Sequence, residues 1–261
     1  MRRIPLCLIS TALALVACNP GEPATSDVAG STGSDGGSSS SPTGSGGDEA
    51  TLFGAPVSSY VQVVAGVPTV VGVIIPIAAI EDAPVDGPFQ DDLVLDMPAL
   101  AREKTMLSQL RVNWLAHGHG PAPYGEAHFD LHFYRGTSAE IDAIDCQDGG
   151  EFPPEILTDD HEFPGTCVSR MGYHAWPTAD SLPGAVFTAS LILGYFAQEM
   201  VFIEPMIARS TLLAREDFEL AVSKPMKTGG APTLYPTRMR ALYVADESAY
   251  HLEFDMFEAV D

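Results

Sequence analysis

The segment HGHGPAPYGEAHFDLHFY, residues 117 to 134, holds four of the chain's seven histidines, with Glu126 and Asp130 among them. Imidazole nitrogens and carboxylate oxygens are the donors from which proteins build sites for zinc, iron, manganese or copper. Spacing decides which of them can meet. His128 and His132 are four apart, which on a helix would set both rings on one face. Their neighbours argue for a half-buried strand instead, because Phe129, Leu131 and Phe133 alternate with His128, Asp130, His132 and Tyr134. On a strand, residues four apart lie roughly 13 Å from each other, too far to share one ion without a bulge. His117 and His119 differ, since H-x-H on a strand puts two rings on one face about 7 Å apart, within reach of one metal. Gly118 between them permits close approach or a bulge. If residues 110–119 and 127–134 are the arms of a hairpin, a register matching 119 with 128 also matches 117 with 130. His117, His119, His128 and Asp130 would then converge on one face.

A metal also needs a completed shell, and two distant residues offer it. Glu204 is the only charged residue in MVFIEPMI (200–207), where an unpaired buried carboxylate is costly and a cation or a proton relieves it. His174 sits in MGYHAW (171–176), where it could equally be a stacked or surface ring. If the site is catalytic, the histidines are ligands and Glu204 or Asp130 the general base. The bland alternative is a polar hairpin whose aromatics face the core. No G-x-S-x-G elbow, phosphate loop, dinucleotide fingerprint or C-x-x-C pair is present, so covalent hydrolysis and nucleotide chemistry have no support.

The elements that must position these residues read as mainly β. The uncharged run 57–80 is interrupted by Gly66, Pro68, Gly72 and Pro76 and rich in valine and isoleucine, which excludes a spanning helix. It fits two buried strands, 57–64 and 68–75, with a turn at 65–68 and a helical turn at 78–81. Further strands are expected at 107–115, 127–134, 186–193, 200–204, 238–244 and 250–254, and helices at 97–104, 138–144 and 210–218. Short links between successive strands favour antiparallel hairpins. Residues 146–183, rich in proline and acid, read as a long excursion. The expected fold is an antiparallel β-sandwich or barrel with small helical insertions.

The N-terminus, MRRIPLCLISTALALVAC, has two arginines, an apolar run and the box Leu15-Val16-Ala17-Cys18 of a bacterial lipoprotein signal. Cleavage of residues 1–17 and acylation of Cys18 would anchor the chain to a membrane by lipid, on the periplasmic or the cell-surface side. Residues 18–50, rich in Gly and Ser, read as a disordered tether, and 51–261 as one folded domain. Cys146 and Cys167 are then the remaining cysteines in an oxidising compartment, and a disulfide between them is expected. Without Arg2 and Arg3 the formal charge is about −24. Such a body is expected to be repelled by nucleic acid and anionic lipid; the charge either serves solubility alone or also attracts cations.

Several segments together resemble one family. They are PTVVGVII (68–75), NWLAHGH (113–119), HFDLHFY (128–134), MGYH (171–174), FIEPMI (202–207) and YPT (235–237), in order across roughly 55–258. The family is one of exported bacterial and archaeal proteins classed as a domain of unknown function. The resemblance implies no activity, but it groups 117, 119, 128, 130, 132, 174 and 204 as one set. Three functions follow as expectations: an envelope protein with a histidine-rich site for a divalent transition metal, a non-catalytic structural or interaction module that could form homo-oligomers, and a periplasmic binder of a small ligand lined by Trp114, Tyr124, Tyr134 and Trp176.

Overall fold

Alternation along the strands decides the architecture. The computed structural model describes residues 43–147, 151–163 and 165–261; the signal segment, Cys18 and the expected tether up to residue 42 lie outside the described residues. In chain order the strands are β1 (Thr43–Leu52), β2 (Ala55–Val64), β3 (Val67–Pro76), β4 (Leu93–Asp96), β5 (Gln109–Leu115), β6 (His128–Tyr134), β7 (His161–Glu162), β8 (Cys167–Val168), β9 (Gly172–Pro177), β10 (Ala189–Phe196), β11 (Glu199–Ala208), β12 (Phe218–Ala221), β13 (Thr233–Val244) and β14 (Ala249–Val260). Short helices α1 (Ile77–Glu81), α2 (Ala99–Lys104), α3 (Ser138–Asp142) and α4 (Arg209–Leu213) connect them. The strands form two antiparallel sheets, β1-β2-β3-β14-β13-β12 and β4-β5-β6-β11-β10-β9-β7, with β8 pairing β9. The sheets pack face to face as a β-sandwich, as the periodicity predicts.

One core lies between them. Val71, Val73 and Leu252 of the first sheet meet Val112, Leu131 and Ile203 of the second, and Phe133 and Phe254 sit 4.8 Å apart across the gap. The second sheet is also covered on its outer face, where Tyr124, Tyr134, Met171, Phe187, Ile192, Phe202 and Met206 form a separate buried cluster. Strand β6 supplies both layers, Phe129, Leu131 and Phe133 inward and His128, Asp130, His132 and Tyr134 outward, and all seven residues are buried.

Four expectations need correction. Residues 43–50, expected in the tether, belong to β1, which is held as an edge strand by its ladder to β2 rather than by apolar side chains. Gly47 lies in its bulge, where a Cβ would stand 2.2 Å from Ser59 Oγ. The helix expected at 210–218 is confined to Arg209–Leu213, and the chain re-enters the first sheet at β12. Residues 146–183 are tied by the Cys146–Cys167 disulfide, as expected, but they also contribute β7, β8 and β9 to the second sheet. The hairpin register differs as well: β5 ends at Leu115, which pairs with His128, and Asn113 pairs with Asp130. His117 and His119 therefore lie beyond the ladder.

Candidate metal centre

Two trios of donors form on the outer face of the second sheet, one of His119, His128 and Asp130, the other of His132, His174 and Glu204. Within each trio the donor atoms lie within 4.8 Å of one another. Each trio is two imidazoles and one carboxylate, a donor set that could hold a metal ion.

The first trio is built by β6 and the loop before it. His128 and Asp130 are two apart and so share a face, with His128 Nε2 3.0 Å from Asp130 Oδ1. The loop returns His119 to them. Leu115 O accepts from Gly118 N and Tyr124 O from His119 N, which folds 115–125 into a tight excursion. Gly118 has φ +61°, and a Cβ there would stand 2.3 Å from Tyr124 O, so this position requires glycine. His119 then brings Nε2 to 3.5 Å from Asp130 Oδ2, with its ring 4.8 Å from that of His128. The same left-handed turn sends His117 outward, where Nε2 meets Asp86 at 2.7 Å on the exposed surface. The expected convergence of His117 with His119 and His128 therefore fails, because Gly118 does not continue a strand.

The second trio is assembled across strands. His132 is on β6, and Glu204 is on β11 between the pairs Phe202↔Tyr134 and Met206↔Asp130. The recorded β6–β11 pairs skip Glu204 and Pro205, and Pro205 has no N–H to give to a ladder. His174 arrives on β9, opposite Gly194 of β10. His132 Nε2 lies 3.4 Å from Glu204 Oε1, and His174 Nε2 3.8 Å from Glu204 Oε2. Gly194 leaves room for the Phe202 ring, which a Cβ would approach to 2.0 Å; that ring packs 4.9 Å from His132 and 5.0 Å from His174.

Ring orientation is fixed from outside. His119 Nδ1 bonds Gly120 O at 2.8 Å, His128 Nδ1 bonds Glu126 O at 2.6 Å, and His174 Nδ1 bonds Gly172 O at 3.2 Å. A carbonyl only accepts, so each Nδ1 carries the proton, and in the neutral ring Nε2 presents a lone pair toward a carboxylate. Backbone or carboxylate partners of this kind orient metal-ligating histidines. His128 Nε2, Asp130 Oδ1, both nitrogens of His132 and Glu204 Oε2 are buried without a hydrogen-bond partner. By contrast the buried ring of His161 uses both nitrogens, on Thr158 Oγ1 at 2.9 Å and on Leu191 O at 3.0 Å.

The electrostatics follow from burial. It pushes His132 down to about 3 and His174 down to about 4, so both rings are neutral. Burial, aided by the Asp130 charge, raises Glu204 well above the carboxylate range. For Asp130 burial acts upward too, but His119 and His128 outweigh it and hold the carboxyl below its ordinary value. Burial disfavours the His119 proton, and Asp130 outweighs that and raises the ring. A proton on Glu204 would serve one of the unpartnered atoms in its trio. A divalent cation would serve all three donors at once.

His119, Asp130, His132, His174 and Glu204 open on one cleft of about 490 Å³ that Tyr124 and Trp176 also line. Trp114, expected beside them, instead packs on Phe129 at 4.6 Å within the main core, and Tyr134 is buried beneath His132, its ring stacked at 5.5 Å. The sequence reading missed the division into two trios and the roles of Gly194 and Phe202. The period of two in β6 carried the signal for the first, since it puts His128, Asp130 and His132 on one face. No family model matches the chain, and neither the curated proteins nor the solved structures contain a match to it.

Proposed function

We propose that this is an exported, lipid-anchored cell-envelope protein of the family it resembles, and that it binds divalent transition-metal ions through the two trios. The observation that carries the reading is the aim of the histidines: three rings are held by Nδ1 on backbone carbonyls with Nε2 turned toward a carboxylate. Donor atoms around an ion with bonds of about 2.0–2.2 Å lie roughly 3 to 3.5 Å apart, close to the nitrogen–carboxylate separations of 3.0 and 3.5 Å in the first trio and 3.4 and 3.8 Å in the second. Two imidazoles and a carboxylate leave coordination positions open, as in non-haem iron and catalytic zinc sites, and also suit manganese and copper. An open position lets the ion act as a Lewis acid or redox centre, with the cleft as the approach. The Cys146–Cys167 disulfide supports a location outside the cytoplasm. The acidity of the body favours cations over nucleic acid as partners.

Elemental analysis of the chain purified without a metal-binding tag tests the reading. The expected result is about two equivalents of transition metal, falling to about one in either His128→Ala or His174→Ala. No metal after reconstitution, in protein whose fold is verified by circular dichroism, would overturn it. Cys18→Ser should move the protein from the membrane to the soluble fraction; retention on the membrane would overturn the anchor.

A further inference from the structure

The cleft above the trios has walls that say what can enter it. Phe89, Leu115, Met171, Trp176, Ile192 and Met206 line it, and no lysine or arginine does among the described residues. Its carboxylates, Asp130 and Glu204, are themselves trio members. The Tyr124 hydroxyl is already committed, donating to Asp180 at 2.7 Å. Beyond the trios, Thr166 is the one further hydroxyl side chain on the walls, and there is no second charge. Phe89 is 55% exposed at the cleft, an apolar surface that an occupant would cover. The volume, about 490 Å³, is in the range of pockets that enclose one small organic molecule.

Resting on the metal reading above, we propose that the cleft takes a small, largely apolar organic molecule that reaches the metal through a single oxygen-donor head. Three classes are excluded by cost. A sugar or polyol would lose water from several hydroxyls and regain few bonds. A phosphate ester or multiply charged acid would find no cation besides the ions. A peptide would bring backbone groups that these walls cannot satisfy. A phenol- or alcohol-like molecule loses water from one polar group, which the metal replaces, while its body is buried against Met171, Met206 and Trp176.

The experiment uses the chain loaded with cobalt(II), whose visible absorption reports the metal and its open positions, with tryptophan fluorescence, to which Trp176 in the cleft contributes, as a second signal. The probes are 4-propylphenol, inorganic phosphate and glucose. We expect 4-propylphenol to shift the cobalt band and quench fluorescence saturably, binding at least about tenfold more tightly than either comparison probe. Val168→Phe, which adds bulk at a wall residue that belongs to neither trio, should keep the cobalt band and weaken the phenol by a similar factor. A cobalt band that phenol leaves unmoved, or that phosphate or glucose shifts as readily, would overturn the inference and leave the metal reading standing. No cobalt band at all would overturn both.

Discussion

His119, His128 and His174 are each tethered at the nitrogen that faces away from the trios, whereas His132 is tethered at neither. His132 is held by packing alone, stacked on Tyr134 at 5.5 Å and edge-on to Phe202 at 4.9 Å. Burying it has a consequence for the metal-free protein. His132 at about 3 and His174 at about 4 stand below the roughly 6.5 of an unfolded chain, so from about pH 4.5 to 6.5 the unfolded chain binds more protons at both rings. Glu204, raised, binds a proton in the native state that the unfolded chain has lost, which offsets one of the two. Roughly one proton of excess remains on the unfolded side, a slope near 1.4 kcal/mol per pH unit. Stability in chelator should therefore fall by about 2 to 3 kcal/mol as pH drops from about 6.5 to 4.5. The raised groups, Glu204 and His119, act the other way, their contribution being lost as pH rises through their folded-state values. Urea unfolding at three pH values checks this, and a flat profile would show the rings are charged in the fold.

At the scale of elements, the segment between β5 and β6 is where sequence and structure part most clearly. The strands themselves were legible: HFDLHFY alternates, and β2 and β3 lie within two residues of the expected bounds. The register was not, because H-G-H looks like strand until Gly118 is placed at φ +61°, and pattern cannot show a left-handed residue. His174 was legible as a candidate ligand, but the strand that carries it was not. Its segment is surrounded by proline and acid, and β9 is a strand through its pairing with β10 on one side and with β7 and β8 on the other. The buried Arg111, hydrogen-bonded to Asp142 at 2.9 Å, joins Arg170 on Asp91 and Asp142 and so ties the disulfide-bearing segment to β5. Gly118→Ala tests the role of the loop. With no room for the Cβ, the variant should cost about 1 to 2 kcal/mol and displace His119, and metal content should drop by about one equivalent, leaving the second trio loaded. Retention of full metal would show that His119 is dispensable.

For the molecule as a whole, the Cys146–Cys167 link closes a loop of 21 residues in sequence separation and fastens the cover of the second sheet. On chain-entropy grounds it contributes about 3 kcal/mol, so Cys146→Ser with Cys167→Ser should lower the melting temperature by several degrees while the sandwich persists. An unchanged melting curve would mean the cover is fastened by other contacts, such as the Arg170 pairs. The seven residues of β6 also set how this protein could be altered over time. Each face can be rewritten independently by substitution, since the inward phenylalanines and leucine do not meet the outward donors. An insertion or deletion of one residue within β6, unless a bulge absorbs it, would turn the donors on one side of the change into the gap between the sheets and the apolar residues there out to the cleft. Changes of length are thereby disfavoured in this strand. Homologues are expected to vary in the loops on either side while keeping its count of seven.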